Sequence, residues 1–305
     1  MIVFILRRLL WLVPTLWVIV TLSFFLMRFA PGGPFDGERK LDPKIEENLK
    51  HKFGLDLPLH RQYLRYLGGL LRGDLGPSMV HRGRTVSEIL GEALPVSLLV
   101  GFCSIAFAVA AGTAAGLIAA WRQNSAVDYA LMSVAALGVS VPSMVLAPLL
   151  IGVFALKLGL FPVASWGTPL HLVLPVVALG SIFAARIARL TRAGVLEVLQ
   201  QDFVRTARAK GLSEFMILLR HALPLGSIPV LSYLAPATAS ILTGSVVIET
   251  IFYLPGIGRY FVSAATERDY TLALGTVIVY STLLVVLNLF SEIAQALIDP
   301  RVKPR

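Results

Sequence analysis

Charge is what this 305-residue sequence has least of: Asp, Glu, Lys and Arg make up 15% of it against 56% hydrophobic side chains, and its mean hydropathy is +0.76. Soluble chains carry about 25% charged residues, so an ordinary soluble domain is excluded. The single cysteine, Cys103, lies in the apolar run VGFCSIAFAVAAG, which excludes an intramolecular disulfide and any multi-cysteine metal site. Five histidines (His51, His60, His81, His171, His221) are scattered without H-E-x-x-H or paired-ligand spacing, so no metal is expected. No G-x-x-x-x-G-K-S/T stretch occurs, and the Gly-x-Gly of LPGIG lacks both the preceding strand and the third glycine of a dinucleotide fingerprint. The chain is therefore expected to carry no catalytic residue and no nucleotide or other cofactor of its own.

What the sequence has is long apolar runs. Six are long enough, or nearly so, to cross a hydrocarbon core: Leu9–Met27, Leu94–Ala120, Tyr129–Leu156, Leu170–Leu190, Ile228–Phe252 and Leu272–Ile298. The first follows Arg7 and Arg8 but is too long for a signal-peptide core and has no small-x-small site after it, so it reads as a retained span. With the N-terminus in the cytoplasm, inner segments hold Arg7, Arg8, Arg122, Arg186, Arg189, Arg192, Arg205, Arg208, Lys210, Arg220, Arg301, Lys303 and Arg305. Short outer loops hold only Lys157, Arg259 and Arg268, and thirteen against three places both termini inside. The net charge of +9 thus lies at the cytoplasmic membrane edge, and nucleic-acid binding loses its support. The spans are rich in small residues, as in AVAAGTAAG (Ala108–Gly116), which suits close helix packing.

The expected fold is an all-α integral membrane protein with six transmembrane helices and a helical extracytoplasmic insertion between the first two. Its parts are an N-terminal transmembrane helix over 1–30, the insertion over 31–93, and a core over 94–305 with five further spans and a cytoplasmic segment at 200–224. In the insertion, PLHRQYLRYLGGLL (Pro58–Leu71) reads as a helix opened by proline, with Tyr63, Leu67 and Leu70 or Leu71 on its apolar side. TVSEIL is a capping box, Thr85 capping and Glu88 reaching back. The insertion reads as a small helical cap rather than a separate binding domain.

The segment RTARAKGLSEFMILLRHALP, Arg205–Pro224, interrupts this pattern with basic residues, a glycine and a proline. A link between neighbouring helices commonly needs only about 2–8 residues, and the link that holds it, Thr191–Ser227, is several times longer. It parses into two short helices. Asp202 begins or caps the first and Gly211 ends it in a left-handed turn; Ser213 caps the second, with Glu214 in its first turn. Phe215, Leu218, Leu219 and Ala222 then share one face, and Pro224 stops the helix. By composition alone this is an interfacial helix pair lying on anionic lipid.

The spacing Ala207–x3–Gly211–x11–Leu223–Pro224 resembles the EAA signature, E-A-A-x3-G-x9-I-x-L-P, of permease subunits of bacterial ABC importers. Arg205 stands at the signature's Glu, Thr206 at its first Ala and His221 at its Ile, and RTARAKGL with LLRHALP is similar to the variant of the oligopeptide, dipeptide and nickel permease branch. FILRRLL, FFLMRFAPGGPF, GLDLPLHRQYLRYL, GDLGPS, VIETIFYLPGIGRYFVSAATERDY and ALIDPR extend the likeness, in order, to the B-type subunit of a peptide permease. The resemblance implies the type I ABC-importer permease fold in a bacterial inner membrane. It implies a paralogous C-type permease, two ATPase subunits that bind ATP and Mg, an extracytoplasmic substrate-binding protein, and peptide as cargo. Oligopeptide is the leading cargo, with dipeptide, murein peptide or nickel chelate as alternatives. It also implies that Arg205–Pro224 is the coupling helix docking on an ATPase. Arg205, Arg208 and Lys210 then steer it, Thr206, Ala207 and Leu212 pack closely, Gly211 makes the turn, and Leu223 and Pro224 close the motif.

Glu249 is an acid near the outer end of the fifth span, either a hydrogen-bonded group at the headgroup boundary or a residue that lines or braces an outer gate. Pro255, Gly256 and Gly258 of LPGIG are expected to form the adjoining turn, the glycines through unusual dihedrals. Two other classes compete. A polytopic membrane hydrolase or transferase needs converging catalytic groups, yet Glu249 and Glu292, near span ends, are the acids within the spans. A secondary transporter often shows midplane charges and inverted repeats, and neither is evident.

Overall fold

The computed structural model describes residues 2–29 and 43–298. In chain order its helices are α1 (Ile2–Phe29), α2 (Pro43–Phe53), α3 (Leu59–Leu70), α4 (Val86–Trp121), α5 (Ala126–Ser140), α6 (Ser143–Leu150), which runs on as a π-turn over Ile151–Lys157, and α7 (Leu170–Leu199). There follow α8 (Asp202–Ala209), α9 (Glu214–Ile217), a second π-turn (Leu218–Ala222), α10 (Leu223–Gly226), α11 (Ile228–Gly244), α12 (Val246–Ile251), α13 (Ile257–Thr266) and α14 (Tyr270–Ile298). Among the described residues there is no strand beyond an isolated antiparallel bridge between Pro77 and Thr85. Arg301, Lys303, Arg305 and the ends of FFLMRFAPGGPF and ALIDPR lie outside the described residues.

Among the described residues, four stretches are long and apolar enough to cross a bilayer unaided: Leu10–Phe29, Val86–Trp121, Leu170–Leu199 and Tyr270–Phe290. The expected third and fifth spans are not single helices. Ala126–Ser140 and Ser143–Lys157 meet at 111°. Val141 is extended there (φ −87°, ψ 117°), because the ring of Pro142 disfavours the helical region for the residue before it. Glu214–Gly226 and Ile228–Ile241 meet at 45°, and the helix from Ile228 is interrupted at Ser245 before α12. With each bent pair counted as one span the total is six. The chain is thus an all-helical, multi-pass membrane protein.

The chain divides into two compact units. The first comprises Met1–Ser97 and Leu254–Val285. In it α3 forms as the proline-led pattern predicts, Pro58 standing just before its first residue, and it packs Tyr63 and Tyr66 on Phe24 of α1 at ring-centroid distances of 5.4 and 5.9 Å. Leu71, one of the two apolar positions offered for that helix end, is exposed instead. The Thr85 box is present: Thr85 N donates to Glu88 Oε2 (2.9 Å) and Glu88 N to Thr85 Oγ1 (3.2 Å). It opens α4 itself, well before the apolar run at Leu94. Val86, Ile89, Leu90 and Ala93 of α4 form a buried core with Ile257, Ala264, Leu272 and Ala273. Asp269 caps α14 and is fully buried, accepting from Leu272 N (3.0 Å), Thr271 Oγ1 (3.0 Å), Met79 N and Val80 N (3.2 Å each) and the Ser78 hydroxyl. A buried carboxylate so surrounded by donors is satisfied without a cation.

The second unit comprises Leu98–Tyr253 and Val286–Arg305 and is organised around α7, which meets α5, α6, α10, α11 and α12. The small-residue run of α4 has the role its composition predicts. Cβ atoms added at Gly112 and Gly116 would strike the Ala184 and Ala188 carbonyls of α7, so the two backbones are in direct contact. Further along α7, Val195 joins Ala120, Leu218 and Ala222 in a buried cluster that seats the basic segment.

Candidate functional site

The basic segment is a helical hairpin whose turn is closed by backbone chemistry. Gly211 has φ +81°, its N–H donates to Arg208 O (2.9 Å), and Leu212 N–H donates to Ala207 O (3.3 Å). This is the double Schellman closure, which needs a left-handed residue at Gly211. Ser213 then caps α9, its Oγ accepting from Met216 N at 3.4 Å. The turn also returns Glu214 onto Arg208, with Nε–Oε1 at 2.7 Å and Nη2–Oε2 at 3.2 Å. The Arg208 guanidinium holds the Glu214 carboxyl below the usual carboxylate range, and Glu214 in turn raises the Arg208 guanidinium. Sequence reading used Arg208 only as a steering cation and Glu214 only as a helix-start acid, so this fork across the turn was missed.

Burial divides the predicted residues into two sets. Val204 and Ala207 of α8 pack against Ile217 and Leu199, so Ala207 belongs to the hairpin's own core. Arg205, Thr206, Lys210 and Leu212 are exposed, Arg205 with only a 3.9 Å contact to the equally solvated Asp202. The expected apolar face is corrected: Ile217, Leu218 and Ala222 are buried, while Phe215 and Leu219 face out. Together with Phe203, Leu212 and Met216 they make an exposed apolar surface bordered by arginine and lysine. Phe215 also lies 6.4 Å from the Trp121 ring at the end of α4.

Pro224 does not stop the second helix. Leu223 N–H donates to Leu218 O, five residues back, and helical structure continues to Gly226. The wider π-turn absorbs the donor that proline lacks. Leu223 is half-buried and Pro224 exposed. Beyond it Gly226 abuts Gly194 of α7 backbone to backbone: a Cβ on Gly226 would stand 2.7 Å from Val195 N.

A second clamp lies at the same end of α7. Asp128, 1% exposed, receives Arg192 Nε on Oδ1 and Nη2 on Oδ2, both at 2.7 Å, and Asn124 N at 2.9 Å. It ties the α4–α5 loop and α5 to α7. Replacing Arg192 by Met should strand a buried carboxylate and cost about 2 kcal/mol, less than the ~3–5 of a fully buried pair because Arg192 keeps some solvent. Replacing Asp128 by Leu as well should recover much of the loss. Thermal midpoints of the two single variants and the double variant in detergent check this, and additive losses would contradict it.

At the expected gate, Glu249 is fully buried on α12 and accepts a hydrogen bond from the Ser245 hydroxyl, at the interruption between α11 and α12. Pro255, Gly256 and Gly258 belong to the other unit. Their expected dihedrals are corrected: Gly256 is extended (φ −98°, ψ 173°) and Gly258 is helical within α13. The left-handed residue of this stretch is Tyr253, at φ +55°.

With this geometry in view, two family models match the chain. One describes a binding-protein-dependent transport system inner membrane component and covers residues 112–304; the other, for the N-terminal part of such a membrane component, covers 1–95. The oligopeptide transport system permease protein OppB of Haemophilus influenzae is 46% identical over 99% of this chain and 100% of its own length. The dipeptide transport system permease protein DppB of Bacillus subtilis is also 46% identical, over 95% of this chain and 94% of its own. Among solved structures, an inward-facing MetNI methionine ABC transporter is similar in fold, with a TM-score of 0.56 at 18% identity over 71% of this chain and 97% of that one.

Proposed function

Because the chain belongs to the family of inner membrane components of binding-protein-dependent transport systems, we propose that it is the peptide-translocating permease subunit of an ATP-driven importer. Relatives named for oligopeptide and for dipeptide transport, each 46% identical over nearly the whole chain, support peptide cargo. The observation that carries the mechanism is the hairpin at 200–224, whose inner face is fixed to α4 and α7 while its outer face presents Phe203, Leu212 and Phe215 among basic side chains.

In this reading the exposed apolar surface seats in a cleft of an ATP-hydrolysing subunit, with Arg205 and Lys210 steering the approach. Arg208 braces the turn through Glu214, and Ala207 holds the two short helices together. A push on such a hairpin cannot be absorbed locally, because Gly226 rests on the α7 backbone and Leu218 is buried against it. Both termini and this hairpin lie in the cytoplasm, as the basic-residue count supports. A paralogous permease completes the path, two ATPase subunits supply ATP and Mg chemistry, and an extracytoplasmic binding protein delivers cargo. Residues 31–93 form a cap on the outer side. Glu249, buried beside the α11–α12 interruption, braces the outer gate rather than lining it, and Pro255 to Gly258 form the turn that follows.

Uptake of a labelled panel of di-, tri- and pentapeptides, with nickel chelate alongside, tests the reading in cells lacking the chain and in complemented cells. Complementation should restore peptide uptake, and the panel decides between oligopeptide and dipeptide. Restored nickel uptake with peptide uptake unchanged would overturn peptide as cargo.

A further inference from the structure

In the first unit, α1, α3 and the start of α14 enclose a cavity of about 190 Å³ whose charged lining is mostly cationic. Arg28, Lys52 and Arg65 line it, with Asp74 as the acid, and Asp74 Oδ1 already accepts from Gly76 N at 2.8 Å. Among the described residues none of the three cations has a carboxylate within ion-pair distance. Arg28 is sandwiched, its Cζ 5.2 Å from the ring centres of both Phe24 and Tyr270. Its faces are therefore occupied, while Nε is buried without a partner. That edge of a guanidinium is the one that forks onto an oxyanion. Tyr66 also lines the cavity, and its hydroxyl is buried without a partner; burial pushes its phenol up, so it stays neutral.

Three cations around one cavity without a carboxylate partner form a receptor for a compact anion. Position selects the source of that anion. Arg28 stands at the end of the apolar stretch Leu10–Phe29, where a span meets the headgroup region, and rings as well as cations line the cavity. We propose that this cavity holds the phosphate of an anionic phospholipid headgroup, with the three lining cations Arg28, Lys52 and Arg65 drawn to its oxygens. The proposal rests on α1 being a membrane span and is independent of the transported cargo.

The test uses the full-length chain purified in mild detergent and titrated with phosphatidylglycerol, phosphatidylcholine or inorganic phosphate, read by native mass spectrometry and thermal midpoint. Phosphatidylglycerol should bind and raise the midpoint, with the other two far weaker. Lys52 and Arg65 are exposed, so the K52Q/R65Q double variant should fold normally and lose on the order of ten-fold or more in affinity. R61Q/R72Q removes the same charge from exposed residues outside the cavity and should bind as the wild type does. Equal losses in the two double variants would reduce the effect to bulk charge and overturn the site. So would undiminished binding in K52Q/R65Q, and a midpoint shift by inorganic phosphate matching that of the lipid would overturn the lipid as its source.

Discussion

Replacing Gly194 by alanine is expected to destabilise the second unit by about 2–3 kcal/mol, although alanine is the better helix former by ~1 kcal/mol. The added methyl has no flexible neighbour to displace. It would overlap the carbonyl oxygen of Gly226, with that residue's carbonyl carbon at 3.0 Å and Cα at 3.2 Å. Backbone cannot rotate away as a side chain does, so α10 must lift from α7 or α7 must bend. Either movement opens the buried cluster of Ala120, Val195, Leu218 and Ala222. Gly194→Leu should go further and leave little chain in the monodisperse peak after detergent extraction. Gly91→Ala on α4 is the matched control: a Cβ there meets nothing within 4 Å, so its midpoint should hold or rise. A Gly194→Ala midpoint equal to that control would show that the crossing is looser than the close approach of these backbones implies.

What the sequence made legible was local. The Thr85–Glu88 box, the Ser213 cap, the left-handed Gly211 and the proline-led α3 each depend on residues within a few positions of one another, and each formed. The run Ala108–Gly116 announced a close crossing because small side chains have one common use in a span, though it could not name α7 as the partner. What escaped was set by distance along the chain. Asp128 and Arg192 are 64 positions apart, and Asp269 and Ser78 are 191 apart. Nothing in either neighbourhood marks these acids as buried. The bend at Val141 escaped for a different reason. Pro142 was visible, but hydropathy measures how apolar a run is and not whether its axis is straight. Gly256 and Gly258 misled because glycine permits a left-handed backbone without requiring one, and in this turn the left-handed residue is Tyr253.

Gly211 is the position where conformation and coupling can be separated, because only its dihedral is demanding. At φ +81° a side chain is strained whatever the space, yet a Cβ there would meet no atom of this chain within 4 Å. Strain alone therefore ranks the variants. Asn tolerates the left-handed region, Ala costs ~1–2 kcal/mol, and a β-branched residue costs more. Because the turn is local, all should insert at wild-type levels. Gly211→Asn should keep most ATP-driven uptake, Gly211→Ala should lose part of it, and Gly211→Val should lose about ten-fold or more, since the Arg208–Glu214 fork and the seat of Phe215 both depend on the turn. Gly211→Glu and Gly211→Arg add bulk and charge in space this chain leaves empty. If that space faces an ATPase subunit, both should abolish uptake where alanine only weakens it, and both should reduce co-purification of the ATPase. Glu and Arg variants that transport as well as the Ala variant would leave Gly211 a turn residue and nothing more, and the coupling role of the hairpin would fall with that result.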